Sequence, residues 1–359
     1  MAVTAKELVD IGRARGLTAV GVAAAAPFEE TRVALEQRRE RGLHGGMAFT
    51  YRNPARSTDP SRTLPGARSL VVGALDYQRE RPDPPTRGPV GRVAAYAWED
   101  HYAALRDALE PVAERLRRDG HRAVVLADQN PLVDRAAAHR AGIGWWGRSS
   151  NVHVPGVGSM VVLGSVLTDA PLDPAPGPVP DGCGSCRRCI DGCPTGAITE
   201  AGEVDARRCL AWLVQAEGVF PVEYREALGD RIYGCDECQD VCPPNIGRKR
   251  RPSDAGDAGA WVDVVELLGL DDRMLLQRYG RWYIPRRDPD ALRRNALVVL
   301  GNTGDAGDAQ VIAALRASLA SASPLVRAHA VWAARRLGRA DLLEPLVDDP
   351  DPLVRAELA

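Results

Sequence analysis

Lysine is almost missing from this chain: Lys6 and Lys249 are the only two among 46 basic residues. Positive charge is therefore carried by arginine, a bias that a GC-rich genome explains as well as phosphate binding does. No apolar run approaches the ~18 residues of a bilayer span. The first residues, Met1-Ala-Val-Thr-Ala-Lys-Glu7, hold neither a hydrophobic signal core nor a twin arginine. A cytoplasmic protein without membrane contact is expected. No C-x3-C-x2-C occurs, which excludes a radical S-adenosylmethionine enzyme. The net charge of −2 gives no general affinity for nucleic acid, although local clusters matter more than the sum. Outside residues 183–242 there is no cysteine at all.

Inside that stretch all 8 cysteines occur. Cys183, Cys186, Cys189 and Cys193-Pro194 follow the run C-x2-C-x2-C-x3-C-P, in which the fourth thiolate belongs to the other of two clusters. Three thiolates on one tight loop can hold three irons of a cube, while the residue after a three-residue gap points away. A proline after the closing cysteine keeps the chain from continuing as a regular hydrogen-bonded element. This logic assigns Cys183, Cys186, Cys189 and Cys242 to one [4Fe–4S] cluster. Cys209, Cys235, Cys238 and Cys193 form the other. Structural zinc is the competing reading, because paired C-x2-C motifs also bind Zn. The triple run, the prolines after Cys193 and Cys242, and the lack of a histidine nearby in sequence weigh against it. A disulfide framework fits a chain of this size poorly.

With 359 residues, 45% apolar and 26% charged, two or three soluble domains are expected. Thr4 to Glu7 is a capping box opening a first helix. Apolar runs at 18–22, 70–75, 123–126 and 160–167 read as strands. A polar, arginine-rich segment at 28–41, an amphipathic one at 99–118 and a third at 132–141 read as helices, so residues 1–172 form an α/β domain. A proline-rich linker follows, then a double-cluster ferredoxin-like domain at 173–255 with a helical insert at 204–228. Beyond a flexible joint at 253–260, residues 256–359 take a helical period. There Arg293, Arg327 and Arg355 recur in register, and Leu300-Gly301 and Leu337-Gly338 close the units. The pattern predicts HEAT-like all-α repeats, with a plain helical bundle as the alternative.

Two basic stretches fit RNA. One is Arg248-Lys249-Arg250-Arg251. The other, residues 278–294, contains Arg281, Arg286, Arg287, Arg293 and Arg294 with Tyr279, Trp282 and Tyr283 interleaved. Arginine forks clamp phosphates and aromatic rings stack on unpaired bases. A solvated charged face is the other reading. Gly142-Ile-Gly144-Trp145-Trp-Gly147 is glycine-rich where a backbone must pass close to a flat cofactor, or else it is an aromatic core turn.

Asp128-Gln-Asn-Pro-Leu-Val-Asp134-Arg through Gly147-Arg148, Tyr233-Gly-Cys through Cys242-Pro243, and Arg294-Asn295-Ala296 through Gly301-Asn302 resemble the signatures of the epoxyqueuosine reductase family. The resemblance spans nearly the whole chain. It implies an oxidoreductase that removes the epoxide oxygen of epoxyqueuosine at the wobble position of tRNA with a GUN anticodon, giving queuosine. It also implies cobalamin, as cob(II)alamin, beside two [4Fe–4S] clusters. The absent D-x-H-x-x-G box is no objection, because the family binds the corrinoid without that lower histidine.

By the same resemblance Asp128 matches the proton donor and a cofactor contact, Arg56 a second contact, and Gly144 and Trp145 lie at the cofactor. Read from the residues alone, Asp128 is first a helix N-cap, and Asp134 a helix residue paired with Arg135 or Arg140. Asn295 joins the basic stretch as an RNA contact. A monomer fed by a ferredoxin- or flavodoxin-type donor completes the expectation. Two departures stand near the cofactor: Gln129-Asn130, and Asp100-His101-Tyr102 where the family has G-x-D-Y-H. The alternatives are a corrinoid reductive dehalogenase-like reductase of a small molecule, a ferredoxin-like carrier, and a tRNA-binding scaffold with structural clusters.

Overall fold

The computed structural model describes residues 3–128, 132–248, 251–252 and 259–359. The chain forms two compact units, each assembled from three separate segments. The first comprises Met1–Arg79, Asp100–Arg207 and Glu237–Pro252, and the second Glu80–Glu99, Arg208–Asp236 and Ser253–Ala359. The division differs from three consecutive domains. Residues 80–99 leave the α/β part, and the cysteine segment is shared between both units.

The first unit is built on four strands: β1 (Ala19–Ala24), β2 (Ser69–Asp76), β3 (Ala123–Leu126) and, after a short hairpin of β4 (Trp145–Trp146) with β5 (Val152–His153), β6 (Val161–Thr168). Their order is β1-β2-β6-β3 and every pairing is antiparallel. Leu70, Val71, Val72 and Ala74 on β2 are fully buried, as a continuous apolar run covered on both faces demands. Helices α1 (Ala5–Ala14) and α3 (His101–Arg118) cover one face of the sheet. Leu105, Leu109 and Leu116 of α3 are wholly buried, each contributing about 2 kcal/mol of apolar burial. Close approach is needed here, since a Cβ on Gly73 would stand 2.8 Å from Leu17. The other face packs on α4 (Asp134–Arg140) through Ala136, Ala137 and Ala138. The helix expected at 28–41 is α2 (Glu29–Glu40).

Thr4 caps α1 as expected, accepting from the Glu7 N–H at 3.2 Å. The Glu7 carboxylate does not close the box; it accepts from Arg115 at 2.6 Å and ties α1 to α3.

In the second unit, Val90–Val93 is the centre of a three-stranded sheet. Arg231–Tyr233 lies parallel on one side and Trp261–Asp263 antiparallel on the other. Helices Asp290–Thr303, Ala309–Leu319, Pro324–Arg336 and Pro352–Leu358 follow, joined through Leu292, Ala296, Leu300, Ala330, Val331 and Val354, all essentially inaccessible. Two of the three arginines in register share a structural role, while Arg293 binds Asp290 and Asp272 instead. Arg327 donates to the Ser321 and Ala322 carbonyls and Arg355 to those of Asp349 and Pro350, each clamping the turn before its own helix. The two Leu-Gly pairs do different work. Gly338 ends a helix with φ +70°, whereas Gly301 lies within one, where a Cβ would come 2.6 Å from Trp332.

Candidate functional site

Cys183, Cys186, Cys189 and Cys242 line one cavity of the first unit, with Trp145, Arg148, His153, Pro243 and Pro244 completing its wall. Cys242 reaches this set because its own segment is fastened from both sides. Gln239 donates to the Ser159 carbonyl at 3.0 Å, and Asn245 accepts from the Ser159 N–H at 2.9 Å while its carbonyl takes the Gln78 amide at 2.7 Å. Gly158 must be glycine, since it has φ +98° and a Cβ would stand 2.0 Å from Asn245 Oδ1. Pro243 has a role beyond stopping the chain. It occupies the first turn of the short helix Pro243–Ile246, where its missing N–H costs nothing.

Burial, and after it Cys183, Cys189 and Cys186, push the Cys242 thiol up to about 11. Burial also raises Cys189, with Cys183 adding to it. Four sulfurs gathered on one cavity are a donor set for soft cations, because a coordinating thiol is deprotonated outright. Among the described residues no three His, Cys, Asp or Glu side chains converge on a single ion. These thiols line a cavity instead, which fits an iron–sulfur cube. A further sign of fit is Trp145, which lines that cavity and whose Nε1 is buried with no protein partner.

Cys193 stands apart from this group. Burial raises its pKa, but hydrogen bonds from Thr195, Ala197 and Ile198 outweigh that, and the net shift is downward. The Ala197 N–H lies 3.2 Å from its sulfur. Cys193 and Cys238 belong to the first unit, Cys209 and Cys235 to the second. All eight cysteines are partly buried.

One neighbour escapes any reading of spacing. His153, 2% exposed, brings Nδ1 to 3.9 Å from Cys242 Sγ. It lies opposite Trp145 in the β4–β5 hairpin, and the two rings stack at 5.4 Å. Burial takes its pKa down to about 4, with Asp181 pulling the other way. A histidine does therefore approach the thiols, although none is near them in sequence. Only the hairpin pairing could have shown it.

The same hairpin explains the glycines around it. A Cβ on Gly144 would stand 2.5 Å from the His153 carbonyl, and one on Gly147 2.2 Å from His153 Nε2. Internal packing accounts for both, and Trp145 faces the thiol cavity.

Asp128 follows β3 with φ +55°, a left-handed conformation that aspartate tolerates better than most residues. It is not the N-cap of α4; that position is Val133, which supplies no side-chain bond. Its carboxyl is open to solvent on one side, yet enough protein surrounds it for desolvation to raise its pKa. Arg106 opposes that rise and Asp100 adds to it. Asp134 begins α4, and its pKa is raised to about 7, mainly by burial and then by Asp128. Among the described residues it has no salt bridge. Arg135 donates to the Ser150 carbonyl, and Arg140 donates to Pro27 and lies over the Phe28 ring. Asp100 caps α3 and His101 stacks on Tyr77. Gln129 and Asn130 lie outside the described residues. Arg56 is exposed on the short helix Pro54–Ser57.

The basic residues separate sharply. Arg294 and Asn295 are wholly buried. Arg294 donates to the carbonyls of Leu213, Val214, Ala216 and Gly218, and Asn295 to those of Val214 and Ile232. They are structural clamps and are withdrawn as RNA contacts. Arg248 is held by Asp76 at 2.8 Å, Arg281 by the Ala97, Trp98 and Glu99 carbonyls, and Arg293 by Asp290 and Asp272. Lys249 lies outside the described residues. Arg286 and Arg287 are exposed, with consecutive positive φ of 51° and 55°; Arg286 pairs with Glu217 at 2.8 Å and Arg287 donates to the Gly280 carbonyl at 3.2 Å. Tyr279 and Trp282 are core residues, and Trp282 stacks on Tyr233 at 4.4 Å; Tyr283 is 43% exposed.

Three stretches match known families: 4Fe-4S double cluster binding domain over residues 182–245, HEAT repeats over 283–359, and epoxyqueuosine reductase QueG, DUF1730, over 57–134. An epoxyqueuosine reductase of Bacillus cereus is 33% identical over 342 residues, covering 93% of this chain and 89% of the relative. The crystal structure of an epoxyqueuosine reductase with an epoxyqueuosine-modified tRNA-Tyr stem loop superposes with TM-score 0.89 at 30% identity, over 98% of this chain and 96% of the other. A Bacillus subtilis epoxyqueuosine reductase, its catalytic loop swung out of the active site, gives TM-score 0.87 at 29% identity, covering 98% and 96%. Similarity of this extent, over a chain that carries a double-cluster segment and helical repeats, shows that it belongs to the epoxyqueuosine reductase family.

Proposed function

We propose that this chain reduces the epoxide of epoxyqueuosine at the wobble position of a tRNA with a GUN anticodon, giving queuosine. One observation carries the reading. A single compact unit holds both a four-thiol cavity suited to a [4Fe–4S] cube and an aspartate, Asp128, open to solvent on one side, whose pKa partial desolvation raises.

Converting an epoxide to an alkene consumes two electrons and two protons and releases water. When bound, the two clusters and cobalamin would relay the two electrons from an external low-potential donor, redox chemistry that side chains cannot carry. The protein's share is protons and positioning. As the carbon–oxygen bond breaks, the oxygen becomes an alkoxide and takes a proton from Asp128, whose raised pKa keeps that proton available. Asp134, also raised and electrostatically linked to Asp128, disfavours a second negative charge beside it. Arg56, exposed on the short helix Pro54–Ser57, and Gly144 of the hairpin are the remaining cofactor contacts.

For the RNA, Arg286 and Arg287 offer exposed guanidinium groups beside the half-exposed ring of Tyr283. Phosphate clamping by the first pair and base stacking on the second match single-stranded loop recognition. The chain acts as a cytoplasmic monomer supplied by a ferredoxin- or flavodoxin-type donor. No described helix is long and apolar enough to cross a membrane.

The test is anaerobic incubation of the purified holoprotein with cobalamin, a low-potential reductant and epoxyqueuosine-containing tRNA, followed by mass spectrometry of the nucleosides. The modified nucleoside is expected to lose the mass of one oxygen. An unchanged epoxide with both clusters loaded overturns the proposal.

A further inference from the structure

We propose that His153 and Trp145 set the reduction potential of the cluster held by Cys183, Cys186, Cys189 and Cys242, through N–H bonds to its sulfurs. The inference rests on the two-cluster reading and adds a role for two side chains that bind no iron.

The His153 ring has little freedom. Trp145 stacks on one side with an interplanar angle of 19°, and Gly147 passes so close that a Cβ there would lie 2.2 Å from Nε2. Nδ1 is thereby aimed at Cys242 Sγ, 3.9 Å away. A thiolate bound to iron has lone pairs and no proton, so the ring must hold its hydrogen on Nδ1 and donate it. Trp145 contributes the second donor. Indole N–H can only donate, and this one is buried without a protein acceptor. The indole lies against the loop that carries the first ligand, since a Cβ on Gly182 would stand 2.6 Å from its ring. A buried donor with no partner in the protein, on the wall of a sulfur-lined cavity, is satisfied by cluster sulfur.

Hydrogen bonds to cluster sulfurs are one of the levers on potential. The reduced cluster carries one more negative charge, so donors stabilise it and raise the potential. Cys193, a ligand of the second cluster, is served by its own turn instead, through the backbone N–H of Ala197 at 3.2 Å and the Thr195 hydroxyl at 3.7 Å. The two clusters therefore draw on separate donors, and substitution of His153 or Trp145 acts on the first alone.

His153→Phe and Trp145→Phe keep a stacked ring and remove the N–H. Redox titration of the anaerobically purified holoprotein, followed by electron paramagnetic resonance, reads both midpoints. Each variant is expected to retain the full iron content, with the midpoint of the first cluster moved to more negative values and that of the second unmoved. Unmoved midpoints overturn the proposal, and so does loss of half the iron, which marks the two rings as scaffolding. Wild-type protein grown with isotope-labelled histidine gives a second measurement that needs no variant. A histidine nitrogen coupled to a reduced cluster supports the bond; its absence overturns it. A preparation without iron contradicts the two-cluster reading instead.

Discussion

Arg225, wholly buried, meets the Glu357 carboxylate through two bonds of 2.9 and 2.6 Å. This pair joins helix Val222–Leu228, part of the insert between Cys209 and Cys235, to the last helix of the repeats. A guanidinium cannot shed its proton, so removing the carboxylate leaves a charge stranded in the interior. Glu357→Ala is expected to lower the unfolding free energy by about 3 kcal/mol. Urea denaturation measures it, and an unchanged midpoint contradicts the assignment.

The crosswise sharing of ligands is tested by two serine variants. Cys242→Ser and Cys193→Ser should each lose one cluster, and not the same one. Cys242 is surrounded by Cys183, Cys186 and Cys189, whereas Cys193 is bonded to the 195–198 turn. The paramagnetic signals left after reduction should differ between the two proteins. Identical residual spectra would place both cysteines on one cluster.

Asp128→Asn should keep iron and cobalamin binding and lose turnover by roughly 10²–10⁴-fold, the usual worth of a general acid. The pH profile separates donation from positioning. A carboxyl with raised pKa stays protonated to higher pH than usual, so wild-type activity should fall on the alkaline side as that proton leaves. The residual activity of the asparagine variant should lack that limb. An identical limb in both proteins assigns the proton to another group.

Asp134 predicts a dependence of stability on pH. Its folded pKa is about 7, against roughly 3.9 for an unfolded chain. Below the lower value both states are protonated and the folded protein bears no penalty. Between the two, unfolding releases a proton, so stability declines as pH rises and levels off above the upper value. Asp134→Asn should flatten that decline in thermal melts. Equal slopes in both proteins would show that other groups cause it.

The long elements were readable in the sequence because their signals are strong. A continuous apolar run gave β2, and a capping threonine before periodic leucines gave α1. The strands Val90–Val93, Arg231–Tyr233 and Trp261–Asp263 were not readable. Each is three or four residues long and gains its order only from pairing across distant segments. Cysteine spacing carried the ligand assignment, since thiolate geometry is local. It could not reveal His153, which reaches Cys242 through a hairpin register. Composition misled at Arg294 and Asn295, where a basic stretch read as an RNA surface is a set of buried clamps on backbone carbonyls. Charge in a sequence does not say whether the group faces water or holds a loop together.

The most direct measurement is the iron and acid-labile sulfide content of the anaerobically purified chain, read with the paramagnetic resonance of its reduced form. Two [4Fe–4S] clusters per chain, both reducible, are predicted. A colourless protein, or one with zinc in place of iron, would contradict them.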